Sequence, residues 1–136
     1  MRCRLSFSVV VVAVLTASAV QAHHSIAGQF DFAKTIRLSG AVAKVEWTNP
    51  HVYLFLDAKE ASGFITTWKL ETLPVAMLRK AGITKQMLMT SETVAMDIVP
   101  ARDGTQNLGF ILKITFPDGR HFQFSRDPNA GAVSTK

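Results

Sequence analysis

Between Leu73 and Ala81 the periodicity of the sequence changes, and from Val94 it changes back. On either side, apolar residues recur every second position, which is the repeat of a half-buried strand. In "TLPVAMLRKAG" they recur at helical spacing instead: Leu73, Met77 and Ala81 on one line, Val75 and Leu78 on another. Thr72 is the expected N-cap, Pro74 fits the first turn, and Gly82 is the stop. "ITKQML" offers one further helical turn. A single helical island among strands excludes bundles, and it also excludes alternating βαβ units.

Three strands precede the island. The first starts at Thr35, with Ile36, Leu38, Gly40 and Val42 on one parity and Val45 and Trp47 on the other. A parity switch between Gly40 and Lys44 predicts a bulge or sharp bend. Asn49-Pro50 turns the chain into "VYLFL" at Val52–Leu56. In "FITTWKLE", Phe64, Trp68 and Leu70 are expected inside, with Thr67, Lys69 and Glu71 opposite. After the helix come Val94, Met96 and Ile98, then the cleanest alternation of the chain, Leu108–Phe116. "PDG" at Pro117–Gly119 makes a hairpin to Arg120–Phe124. This order predicts a mainly β domain: a small OB-fold-like β-barrel with one helix between strands three and four. An open antiparallel sheet with one packed helix is the alternative.

The domain starts late. Arg2 and Arg4, the apolar run "LSFSVVVVAVL" and the small-residue stretch "TASAVQA" form the three parts of a secretory signal peptide. The run is too short for a permanent membrane span, and no second run is longer. Cleavage is expected after Ala22, in preference to Ala19. The expected layout is a signal peptide over 1–22, a lead-in over 23–34, a barrel over 35–125 and a flexible tail over 126–136. The product would be periplasmic or secreted, without stable membrane insertion. The chain's one cysteine, Cys3, leaves with the leader, so folding must rest on apolar packing. Losing Arg2 and Arg4 lowers the formal charge from +5 to +3, which gives no reason to expect nucleic acid as a partner.

"HHS" at the expected mature start, "GAVAKVEWTNPH" over Gly40–His51, "W..E" over Trp68–Glu71, "LRKAG" and "FPDGR" follow one another in that order. Together they resemble DUF6152, a family of small exported bacterial proteins. "WTNPH" with the leading "HHS" is the most specific part. The resemblance implies export and no established activity. Thr90–Glu92 reads "TSE" where such proteins usually carry "PGD", which alters a turn.

The chain has no cysteine nucleophile after the leader, and no G-x-S-x-G, Walker or dinucleotide motif. Its carboxylates are scattered, against a paired-carboxylate hydrolase. The chemistry therefore falls to histidine. His23 and His24 at a free terminus would offer an amine, two imidazoles and an ionisable amide, a donor set suited to copper first and zinc second. His51 follows Pro50 in the first turn and adds a donor from the scaffold. Glu71, on the polar parity at the end of the third strand, reads first as a solvated strand end or a helix-flanking charge, and second as a carboxylate behind one of these histidines. The reading is an exported binding or accessory protein whose metal site is His23, His24 and His51, with Glu71 behind it, and which has a metal or a periplasmic protein as partner. A copper-dependent redox enzyme is one alternative. A metal-free module for a protein or saccharide is the other.

Overall fold

The computed structural model describes residues 25–90, 92–124 and the backbone of 133–135. The long first strand, β1 (Ile36–Glu46), is shared between two neighbours. Its first half pairs antiparallel with β4 (Thr93–Pro100), from Ile36 opposite Ile98 to Ala41 opposite Thr93. Its second half pairs antiparallel with β2 (Tyr53–Lys59), from Gly40 opposite Ala58 to Glu46 opposite Tyr53. The register slips between Val42 and Lys44, where the parity switch predicts a bulge. Gly40 makes the handover feasible. A Cβ there would lie 2.0 Å from the Asp57 carbonyl oxygen, so any side chain would push the strands apart.

β2 continues into β3 (Ile65–Glu71), and β4 into β5 (Leu108–Thr115), each pair antiparallel. The barrel closes through a short parallel seam between β3 and β5: Lys69 with Leu108, Leu70 with Gly109, Glu71 with Phe110. At Gly109 a Cβ would meet Ile98 Cδ1 at 2.8 Å and the Val99 carbonyl at 2.9 Å, so this seam also depends on a missing side chain. The strand order β3-β2-β1-β4-β5, closed on itself, is the Greek-key connectivity of the OB-fold, and the open-sheet alternative is set aside. The second half of β5 pairs with β6 (His121–Phe124), and β6 with β7 (Val133–Thr135). Part of the segment expected as an unpatterned tail is therefore strand.

The interior is filled by the inward parity of these strands. Leu54, Leu56, Leu70, Met96, Ile98 and Ile111 are all fully buried. The helical island is α2 (Val75–Lys80), with Leu78 buried and Pro74 at the cap position without a side-chain cap bond. Thr72 does not cap it: its N–H goes to the Val52 carbonyl at 2.9 Å, extending the β2–β3 ladder by one bond. The further turn is α3 (Lys85–Leu88), capped by Thr84 Oγ1 on the Met87 N–H at 3.2 Å. Phe64, expected inside, is 74% exposed because it belongs to the β2–β3 turn beyond the closed part of the barrel. No described helix is long and apolar enough to cross a membrane.

The lead-in is more than a linker. Ser25 caps a single helical turn, α1 (Ile26–Gln29), by accepting from the Gly28 N–H at 3.0 Å. Phe30 then bridges to Ala101 and is fully buried. Its ring lies 5.7 Å from that of Phe110, and Phe32 lies 6.1 Å from Phe110.

Candidate functional site

Register decides which side chains meet at the β3–β5 seam. Glu46, Tyr53, Glu71, Phe110 and Val99 form one row of successive cross-strand partners. Residues directly opposite share a face, so these five project from the same side of the sheet. Leu54 and Leu70 alternate with them and fill the interior, so the row is on the outer side. Phe30 and Phe32 cover the Phe110 end of this row, and both Phe110 and Val99 are buried despite facing outward.

Glu71 belongs to that covered row. Its residue exposure is 1%, which corrects the reading of a solvated strand end. A carboxylate removed from water needs partners. One oxygen, Oε1, meets His51 Nδ1 and no other described donor. The other, Oε2, accepts from the Tyr53 hydroxyl at 3.2 Å. His51 reaches it because the β1–β2 loop ends at buried Val52, whose carbonyl takes the Thr72 N–H. That bond sets residues 51 and 71 at neighbouring levels of adjacent strands.

Tyr53 was not singled out in the sequence. Its signal is the alternation Tyr53, Phe55 against Leu54, Leu56, together with a β2–β3 register that places Tyr53 opposite Glu71. Lys69 Nζ lies 4.3 Å from the Tyr53 ring centroid, on the face away from the interior. The Tyr53 phenol is pushed up to about 12, by burial first, then by the Glu71 charge and the hydrogen bond to it.

A carboxylate beside Nδ1 favours the ring tautomer that carries its hydrogen on that nitrogen. The His51 side chain is 27% exposed, so a ligand can reach it, while Glu71 behind it is sealed. A buried carboxylate behind a partly exposed imidazole is an arrangement that orients a histidine toward a metal ion or a proton.

The family model for DUF6152, described as a family of unknown function, matches residues 10–110. The chain belongs to the DUF6152 family. The match spans the β1–β2 loop with His51, β3 with Glu71 and β5 as far as Phe110, so the whole pair and its covering residue fall within it. No curated protein and no solved structure matches the chain.

Of the four residues expected at the site, His51 and Glu71 are brought together. His23 and His24 lie outside the described residues, as do the leader and its cleavage point. Among the described residues no group of three or more His, Cys, Asp or Glu gathers to hold a metal ion. His121 opens β6, and no described hydrogen bond or ion pair joins it to the pair.

Proposed function

We propose that this DUF6152 member is an exported, non-enzymatic binding or accessory protein. It would hold a transition-metal ion, copper before zinc, between His51 and the histidines of its processed terminus, His23 and His24. The observation that carries the reading is Glu71, buried at a strand seam with one oxygen on His51 Nδ1. A buried ion pair that served stability alone could often be replaced, both partners together, by well-packed apolar side chains without loss. A carboxylate that orients a partly exposed imidazole has a reason to be charged. The lead-in supports the reading from the other side, because Phe30 and Phe32 pack on Phe110, the cross-strand neighbour of Glu71. The basic start, apolar run and V-Q-A triplet support export and cleavage after Ala22.

Copper(II) titration of five proteins tests this: the chain starting at His23, the same chain with one added residue, His24→Ala, His51→Ala and Glu71→Gln. Each alteration should weaken binding, and Glu71→Gln by roughly 10–100-fold if it acts by orienting His51. Equal affinities for the processed and His51→Ala chains would reduce the site to a terminal chelate. Equal affinities for all five would remove it. Intact mass of protein recovered from the periplasm tests export, and a chain retaining Met1 or starting at Val20 defeats it.

A further inference from the structure

One stretch of strand edge in the barrel is left open. The seam with β5 begins at Lys69, so among the described residues β3 has no strand beside it on that side from Ile65 to Trp68. Backbone groups point to alternate sides along a strand, and two bonds fix the sense here. The Thr72 N–H points to β2, ending on the Val52 carbonyl, and the Lys69 N–H points the other way, to the Asn107 carbonyl at 2.8 Å. The N–H and C=O groups of Ile65 and Thr67 therefore face the open side. Gly63 ends the edge, because its N–H goes to the Glu60 carbonyl at 2.9 Å. Natural edges are commonly guarded by lysine, proline or a bulge. This one reads "FITTW" over Phe64–Trp68, without a charge. It begins with two of the three large apolar side chains exposed among the described residues, Phe64 at 74% and Ile65 at 68%.

We propose that two copies of the chain pair at this edge, β3 antiparallel to β3, across a two-fold axis through Thr66. The register follows from the groups that are free. Centring the pair on Thr67 would set Ile65 against Lys69, whose N–H already goes to Asn107. Centring it on Ile65 would set Thr67 against Gly63, whose N–H already goes to Glu60. Centring it on Thr66 sets Ile65 of each copy against the partner's Thr67, and every free edge group then finds a bond. The same register sets Phe64 opposite the partner's Trp68, a half-buried aromatic, and Thr66 opposite the partner's Thr66. Aromatic and threonine pairs of this kind stabilise a ladder. Lys69 falls opposite the partner's Gly63, in the turn that carries Glu60, so the lysines of the two copies lie at opposite ends of the ladder and each approaches an anion. A second copy thus supplies what the edge calls for: an aromatic at the level of Phe64 and a complementary charge at each end. The pairing is isologous and uses up the open part of both β3 edges, so it stops at a dimer. It does not depend on the metal reading.

Sedimentation velocity of the chain starting at His23, from about 1 μM to about 1 mM, tests this. The wild type should pass from monomer to dimer and go no further. Thr67→Pro removes an N–H that faces the open edge, and should stay monomeric throughout. Phe64→Asp alters one exposed side chain and sets a carboxylate against the partner's Trp68. It should also stay monomeric, which serves if proline disturbs the strand. Cysteine reads the register, since this chain lacks Cys3 and has no other thiol. Thr66→Cys sets its two thiols directly opposite in a non-hydrogen-bonded pair, the closest kind, and should oxidise to a disulfide-linked dimer. In Thr67→Cys the two thiols are diagonal, on residues about 7–8 Å apart, and should stay reduced. A wild type monomeric over the whole range would overturn the proposal and leave the edge to an extended segment of another protein. A dimer that survives both Thr67→Pro and Phe64→Asp would place the interface elsewhere. Growth beyond the dimer would overturn the closed pair, and equal cross-linking of the two cysteine variants would overturn the register.

Discussion

Two regions of this molecule are equally dry and are built by opposite means. The barrel interior is lined by Leu54, Leu56, Met96 and Ile98, each placed by simple alternation along its own strand. The outer patch comprises Phe30, Phe110, Val99 and Glu71, all 1% exposed or less. Alternation points the last three toward solvent, and they are buried because the lead-in and His51 lie over them. The interior contains no charge. The patch contains a carboxylate with two partners. Burial by alternation yields an apolar interior, whereas burial by a covering segment here encloses a polar unit, Glu71 with His51 and Tyr53.

The comparison breaks first at Phe110. If the patch is as well packed as the interior, Phe110→Ala should cost about 3–5 kcal/mol in denaturant unfolding, close to the loss of a fully buried interior aromatic. Phe30→Ala should cost a similar amount, although that residue precedes every strand. A loss under about half a kcal/mol for Phe30→Ala would show that the lead-in rests on the barrel without stabilising it.

Glu71→Gln sharpens the polar half of the comparison. It keeps the shape and removes the charge, leaving a buried amide facing His51. A cost of about 1–3 kcal/mol is expected, measured as the shift in unfolding free energy. Ile98→Val, a change of one methylene in the interior, should cost less, about 0.5–1.5 kcal/mol. A neutral Glu71→Gln would mean that the carboxylate is not held by its partners.

The interior was legible in the sequence because each strand states its own parity. The bend between Gly40 and Lys44, the helix around Val75–Lys80 and the long alternation of β5 are all local patterns. The patch was not legible, for physical reasons that differ from residue to residue. Glu71 sits on the polar parity of β3, and only the parallel pairing with distant β5 reveals that its neighbour is Phe110. Tyr53 looked like one apolar residue among several until register set it opposite Glu71. Phe64 followed the inward parity and still faces solvent, since parity has no meaning past the last barrel rung. Thr72 had the chemistry of a helix cap, yet the Val52 carbonyl claimed its N–H for the ladder. His51 was legible from its proline, because a loop histidine needs no register to be noticed. Its tie to Glu71 did need register.

The smallest expected effect is also the most direct view of the patch. The chain has one tyrosine, so its phenolate absorbance reports Tyr53 alone. The titration midpoint of the folded protein should be about 12, above the ordinary 10.0, because burial, the Glu71 charge and the hydrogen bond to Glu71 all disfavour the phenolate. The folded-state value is raised, so the unfolded chain releases this proton first. The stabilisation is therefore complete below about pH 10 and is lost as pH rises through about 12. Glu71→Gln removes the second and third causes and leaves burial, the first. Its midpoint should fall between the two values. Tyr53→Phe should remove this alkaline loss of stability and cost about 0.5–1.5 kcal/mol at neutral pH, the worth of one hydrogen bond. A wild-type midpoint at 10.0 would place the hydroxyl in water. Glu71 would then depend on His51 alone, and the patch would be half as polar as the geometry makes it.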